Sequence, residues 1–284
     1  MSEKIGMVLE GGGMRGLYTA GVLDQLIDLD LPLAGLVTVS AGALFGVNYL
    51  SKQKGRTLRY NKKYLGNSRY MSLANLLKTG NFVDKDFAYY DIPMKLDVFD
   101  EAAFEAAGVD FYVTVTNLAS GQAEYIKIDN VFEQMEALRA SSALPFLSRP
   151  VTYQDQAYLD GGIADSIPYQ KAFDLGYDRL IIILTRDINY AKSPSCLTIG
   201  KWYYRHYPDF IQQLKNRADM YNQQVAAVKA LEAEGKAFVI RPSQPLKMKR
   251  LEKDPQVIEA VYQLGVADMQ DRLVSLREFL KVSD

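Results

Sequence analysis

The residues Leu36-Val37-Thr38-Val39-Ser40-Ala41-Gly42-Ala43 read as a short buried strand, a sharp turn and the opening of a helix that runs to about Ser51. Four apolar or β-branched residues favour the strand, and the small residues after Ser40 leave room for a tight reversal. The same grammar stands just upstream. Ile5 to Leu9 is an apolar run stopped by Glu10 and a glycine cluster, and Leu17 to Leu31 then carries helical spacing through Leu17, Ala20, Val22, Leu23, Leu26 and Ile27. Strand, glycine turn, helix, strand, sharp turn, helix predicts a parallel sheet covered on both faces.

Further along, Asp110 to Thr116 and Ala123 to Ile128 read as strands joined by the turn-rich Asn117–Gln122, an expected hairpin. Val131 to Ser141 reads as a helix and Leu180 to Leu184 as a fully buried strand. After about Asp187 the texture changes: helical patterns at Phe210–Glu234 and Pro255–Leu280 flank one short strand candidate, Ala237–Ile240. The expected fold class is α/β, a three-layer α/β/α sandwich with a mainly parallel central sheet. The expected division is residues 1–187 as a catalytic domain and 188–284 as a mainly helical extension packed on it.

Composition removes several function classes. The 284 residues include 33 Lys or Arg, 34 Asp or Glu, one His and one Cys, with 48% hydrophobic residues, enough for a sizeable core. A formal charge of -1 gives no global reason to expect nucleic acid as a partner. One Cys excludes a disulfide framework and a Cys-rich zinc site. One His excludes any site with two His ligands on this chain, and a Ser-His-Asp triad would have to use His206. No metal and no cofactor is expected. No apolar run reaches the ~20 residues of a spanning helix. Met1-Ser2-Glu3-Lys4 is followed by too few apolar residues for a signal segment, so a cytoplasmic protein is expected.

Glu10-Gly11-Gly12-Gly13-Met14-Arg15-Gly16 satisfies the G-x-G-x-x-G spacing of a dinucleotide loop. Backbone N–H groups there, at the positive end of a helix, suit a pyrophosphate and equally the oxyanion of a tetrahedral intermediate. A dinucleotide fold calls for an acid at the end of the second strand, and this strand ends in Ser40. Ser40 itself has two readings, the nucleophile of a strand–turn–helix elbow or the N-cap of the helix that follows. A nucleophile needs a base. His206 lies in Trp202-Tyr203-Tyr204-Arg205-His206-Tyr207-Pro208, with no carboxylate beside it to orient the imidazole. Asp160, in Leu159-Asp160-Gly161-Gly162, is the better candidate, set against a plain Asp-Gly turn.

Taken in order, Gly11-Gly12-Gly13-Met14-Arg15-Gly16, Val39-Ser40-Ala41-Gly42-Ala43 and Asp160-Gly161-Gly162 resemble the patatin-like phospholipase family. Ala140-Ser141-Ser142-Ala143-Leu144-Pro145 is similar to another segment of that family. The likeness spans about residues 5 to 170, and the region around Asn216-Arg217-Ala218-Asp219-Met220-Tyr221-Asn222 is similar to an extension of a bacterial subgroup. The resemblance implies a Ser-Asp dyad of Ser40 and Asp160 and an oxyanion hole from Gly11, Gly12 and Gly13. Arg15, Gly16, Gly42, Gly161 and Gly162 would support the motifs. It further implies a serine acyl hydrolase acting on carboxylic esters of phospholipids or lysophospholipids, without a metal. The alternatives are a soluble carboxylesterase or thioesterase and a non-catalytic lipid-binding protein of the same fold. The family's elbow usually opens with Gly where this chain has Thr38, whose side chain is expected to crowd the turn.

Ser51 to Tyr70 holds Lys52, Lys54, Arg56, Arg59, Lys62, Lys63 and Arg69 and no acid. It reads either as a solvated surface or as a peripheral contact with phospholipid headgroups.

Overall fold

The computed structural model describes residues 3–194, 198–249 and 251–281. Met1, Ser2 and the single Cys, Cys196, lie outside the described residues. Eight strands form one sheet: β1 (Ile5–Leu9), β2 (Leu33–Val39), β3 (Asp110–Asn117), β4 (Ala123–Lys127), β5 (Val151–Tyr153), β6 (Gln156–Asp160), β7 (Arg179–Ile183) and β8 (Ala237–Ile240). Their order is β5-β6-β3-β2-β1-β7-β8, with β4 also paired to β3. From β3 through β2, β1 and β7 to β8 all neighbours are parallel, whereas β3 pairs antiparallel with β4 and β6.

The helices are α1 (Leu17–Leu26), α2 (Ala41–Leu50), α3 (Arg56–Tyr64), α4 (Leu73–Thr79), α5 (Glu101–Ala106), α6 (Met135–Ser141), α7 (Tyr169–Asp174), α8 (Thr198–Tyr203), α9 (Pro208–Ala233) and α10 (Pro255–Lys281). Alternation along the strands sets the three layers, because successive side chains point to opposite faces. Met7, Leu9, Leu36, Ile181, Ile183, Phe238 and Ile240 face a core shared with α1, α2 and α10. Val8, Val37, Leu180, Ile182 and Val239 face the other side, where α7 and α9 cover them. The α/β/α sandwich expected from the strand–helix alternation is the observed fold.

Some boundaries move. The helix expected over Leu17–Leu31 ends at Leu26, and Leu29 and Leu31 instead pack as a turn leading into β2, which begins at Leu33. Residues 131–134 form turns, so α6 is confined to Met135–Ser141. The segment after Asp187 supplies more than a helical layer. Its strand β8 pairs in register with β7, Leu180 opposite Ala237 and Ile183 opposite Ile240. No helix among the described residues is long and apolar enough to cross a membrane.

Two glycines let α10 lie almost backbone to backbone on α1. A Cβ at Gly21 would sit 2.1 Å from the Tyr262 carbonyl oxygen, and one at Gly265 would sit 2.1 Å from that of Tyr18. Beside this crossing, buried Asp24 accepts hydrogen bonds from the Tyr262 hydroxyl (2.7 Å) and the Gly55 N–H (2.8 Å). Burial raises the Asp24 pKa against these bonds. Because any side chain must push the helices apart, Gly265→Ala is expected to cost about 1–3 kcal/mol. A thermal melt should show a midpoint several degrees lower, and an unchanged midpoint would show that the helices separate freely.

Candidate active site

Ser40 and Asp160 come from different strands and meet through β3. Strand β2 runs beside β3 with Val39 opposite Thr114, and β6 continues antiparallel along the same edge of β3 with Asp160 opposite Val115, while β4 takes the other edge. The residue after β2 and the last residue of β6 are thereby set side by side. The Ser40 hydroxyl donates to Asp160 Oδ2 at 2.6 Å, and both residues are buried.

The turn that presents Ser40 is strained, with φ +55° and ψ -122°. An L-residue holds a conformation of this kind only where its surroundings impose it, at a cost of about 1–3 kcal/mol. Here they do. Ser40 N–H donates to Ser141 Oγ (2.9 Å), and Ser141 in turn donates to the Thr114 carbonyl (2.8 Å). Gly42 packs on β1, where a Cβ would fall 2.7 Å from the Leu9 carbonyl oxygen. Thr38 does not crowd the turn: its hydroxyl leans away and donates to the Tyr112 carbonyl of β3 at 2.8 Å.

Asp160 is held as firmly. Its Oδ1 accepts from Gly162 N–H (2.8 Å), its carbonyl accepts from the Thr116 hydroxyl (2.9 Å), and its own N–H donates to the Ala143 carbonyl (2.8 Å). Gly161 presses on β3, where a side chain would meet the Thr114 carbonyl at 2.1 Å. The Gly162 carbonyl accepts from Ser166 Oγ (2.8 Å) and from Arg217 Nε (2.8 Å), so α9 braces the turn behind the acid.

The glycine loop lies against this pair. Gly11 abuts Ser40, Gly12 abuts Thr185 at the end of β7, and Gly13 takes φ +57°. Gly16 lets the start of α1 meet Ala41 and Phe45. Arg15 is buried under the loop, so it is not a surface cation, and its N–H donates to the Gly12 carbonyl (3.3 Å). Glu10 is buried beneath the loop as well, accepting from the Thr185 N–H and the Tyr221 hydroxyl (2.9 Å). Burial raises its pKa above the ordinary carboxylate range.

Ser40, Gly13 and Leu144 line two cavities at once. One holds about 180 Å³ of open space and is walled by apolar side chains, among them Phe45, Val47, Ile92, Met135 and Leu138. The other, about 30 Å³, is polar and reaches the glycine loop, Asp160, Arg186, Lys192 and Arg217. His206 is exposed on the turn before α9 and lines neither. In the 51–70 stretch, Lys52, Lys54, Arg56, Arg59, Lys62 and Arg69 each bridge to a carboxylate, those of Asp30, Asp28, Asp97, Asp97, Glu259 and Asp91. Their field at the surface is correspondingly weakened.

The bridging role of Ser141 and the bracing role of Arg217 escape sequence reading. Both residues stand in segments that stand out by pattern, but their partners are 101 and 55 residues away.

In this sandwich a strained serine thus stands at a strand–turn–helix junction, bonded to an acid beside a glycine loop. The chain belongs to the patatin-like phospholipase family, whose profile matches residues 7–173. A second profile, a domain of unknown function (DUF6363), matches residues 207–281. Over 188 residues the chain is 29% identical to the uncharacterized protein YjjU of Escherichia coli (strain K12), covering 64% of this chain and 52% of that protein. It is 27% identical over 186 residues to the lysophospholipase nte1 of Aspergillus terreus (strain NIH 2624 / FGSC A1156), covering 64% of this chain and 12% of nte1. The chain thus spans about half of one relative and a small part of the other. Human GIVD cytosolic phospholipase A2 shares the fold at 13% identity, with a TM-score of 0.51 over 99% of this chain and 59% of that one.

Two outcomes test this geometry. Ser141→Ala leaves the buried Ser40 N–H without its partner and should cost about 1–3 kcal/mol. It should also slow labelling of Ser40 by a fluorophosphonate, measured by intact-protein mass; labelling at the native rate would show that Ser141 does not set the turn. A carboxyl whose folded pKa is raised stabilises the fold below its ordinary pKa and loses that contribution as pH rises through the raised value. Glu10→Gln should therefore flatten the fall in melting temperature above about pH 4.5. A profile of unchanged slope would show that Glu10 is not the group responsible.

Proposed function

We propose that the protein is a lipid acyl hydrolase that cleaves carboxylic esters of phospholipids or lysophospholipids with Ser40 as nucleophile and Asp160 as base. The observation that carries this reading is the 2.6 Å hydrogen bond from the Ser40 hydroxyl to Asp160 at the junction of an apolar and a polar cavity. An ester carbonyl at that junction has room for an acyl chain on one side and a polar group on the other.

Ser40 Oγ attacks the carbonyl carbon as its proton passes to Asp160 Oδ2. A carboxylate is a weak base for a hydroxyl, with an ordinary pKa near ~3.9. The reaction therefore depends on the direct hydrogen bond and on a dry site in which the proton need not cross water. The Ser40 N–H is committed to Ser141, so the oxyanion falls to the loop N–H groups of Gly11, Gly12 and Gly13, where one such donor supplies ~2.7–4 kcal/mol. Collapse of the tetrahedral intermediate releases the alcohol with the proton from Asp160. Asp160 then activates a water against the acyl-serine, which frees the fatty acid and restores Ser40. Lysophospholipase nte1 and human cytosolic phospholipase A2, by their names, act on the same class of lipid. Access to such substrates includes peripheral contact with a lipid surface, to which the largely neutralised 51–70 stretch contributes weakly.

On micellar lysophospholipid and on nitrophenyl butyrate, Ser40→Ala should lose on the order of 10⁴-fold or more in kcat. Asp160→Asn should lose about 10²–10⁴-fold. His206→Ala should turn over both substrates like the native protein. Survival of the Ser40 variant, or loss of activity in the His206 variant alone, would overturn the dyad.

A further inference from the structure

The smaller cavity beside Ser40 is cationic, and three of its four cations come from outside the segment that the phospholipase profile matches. Arg186 follows β7, Lys192 lies in the loop beyond it, and Arg217 is on α9, all beyond residue 173. With Arg15 they converge on one small space next to the Ser40 hydroxyl. The acids on the same wall are Asp160, which receives the Ser40 hydroxyl, and buried Glu10, which burial shifts toward its neutral form.

Aromatic faces position two of these cations. The Arg186 guanidinium stands 4.0 Å over the ring of Tyr190, and Lys192 Nζ stands 4.5 Å over that of Tyr221. The two rings meet edge to face at 5.9 Å, and the Tyr221 hydroxyl is tied to Glu10. A ring face orients a cation without cancelling its charge, so the charge still acts on an incoming anion. The loop that carries Lys192 is itself clipped to α9, because Lys192 N–H donates to Asn222 Oδ1 (2.8 Å) and Asn222 Nδ2 donates to the Lys192 carbonyl (3.0 Å). At about 30 Å³ the space takes a compact group, a few water volumes at most, and not a second acyl chain.

From this geometry we infer that Arg186, Lys192 and Arg217 form a subsite for the phosphate of the substrate's headgroup, to which the segment matched by the second profile contributes Arg217. The inference rests on the proposed acyl hydrolysis for its placement beside the scissile ester, but anion binding is testable without turnover. Arg217 serves twice, since its Nε braces Gly162 behind Asp160, so Arg186 and Lys192 are the cleaner probes.

The experiment uses the full chain carrying Ser40→Ala and titrates it calorimetrically with glycerol 3-phosphate, inorganic phosphate and glycerol. Both phosphates should bind and glycerol should not. Arg186→Gln and Lys192→Gln, each added to Ser40→Ala, should weaken phosphate binding about tenfold or more, as should raised salt. Absence of phosphate binding, or binding that neither variant weakens, overturns the subsite. A second arm compares kcat/KM of the active protein for a lysophosphatidate and a monoacylglycerol of the same chain length. The phosphate-bearing lipid should be preferred, and the preference should fall about tenfold in each variant. Binding of free phosphate together with equal hydrolysis of the two lipids overturns the headgroup assignment and leaves a site for a free anion. If neither lipid is cleaved but phosphate binds and the variants abolish it, the hydrolase reading fails and the anion site stands.

Discussion

The backbone of Ser40, held at φ +55°, is the constraint on which the rest of the site depends. A serine does not stay there unaided, and the groups that hold it are the groups that give the site its shape. Its N–H donates to Ser141, its hydroxyl donates to Asp160, Gly42 packs on β1 and Gly11 packs on Val39 and on Ser40 itself. Strand β3 is the common reference. Its Thr114 carbonyl anchors Ser141, its Thr116 hydroxyl anchors the Asp160 backbone, and one of its edges carries β2 and then β6. Ser40 and Asp160 are therefore registered against one strand rather than against each other. Two buried groups referred to one rigid element keep a short hydrogen bond without relying on that bond to align them.

Much of this frame is legible in the residues alone, because the signals are local. Strand β1, the glycine loop and the Ser40 turn each combine an apolar run with small residues at a fixed offset, and β8 matches its expected range residue for residue. The helix expected to reach Leu31 ends at Leu26 because Leu29 and Leu31 find burial as a turn into β2, which periodicity cannot distinguish from another helical turn. What is hidden is pairwise and long-range. Nothing in Thr38 announces that its hydroxyl will find the Tyr112 carbonyl instead of filling the elbow, and nothing in Ser141 or Arg217 names a partner. The preference for Asp160 over His206 is legible in their neighbours, and the structure adds that His206 is exposed and lines neither cavity.

The charged residues divide into two kinds of work. Around α3 the cations staple the surface: Arg56 and Arg59 share Asp97, and Lys62 reaches Glu259 on α10. The exposed bridges among these, such as Lys62 to Glu259, contribute little individually, about 0–1 kcal/mol each, whereas Arg56 and Asp97 are both buried. Near Ser40, cations are carried on aromatic faces and brought together by the β7 end and α9. The sequence shows the first group as a run and hides the second, because Arg186, Lys192 and Arg217 are neighbours only in space.

Strand β8 has a consequence for how the chain is divided. A family boundary drawn at residue 173 or an expected domain boundary at 187 both fall before the strand that completes the sheet. Without β8, the row of Leu180 to Ile183 would present open backbone donors and acceptors on an apolar strand, the kind of edge that recruits other chains. Without α10, the glycine face of α1 would be bare. The matched stretch and the complete sheet are thus different sets of residues, since the last strand and the cover of the α1 glycine face both come from beyond residue 173.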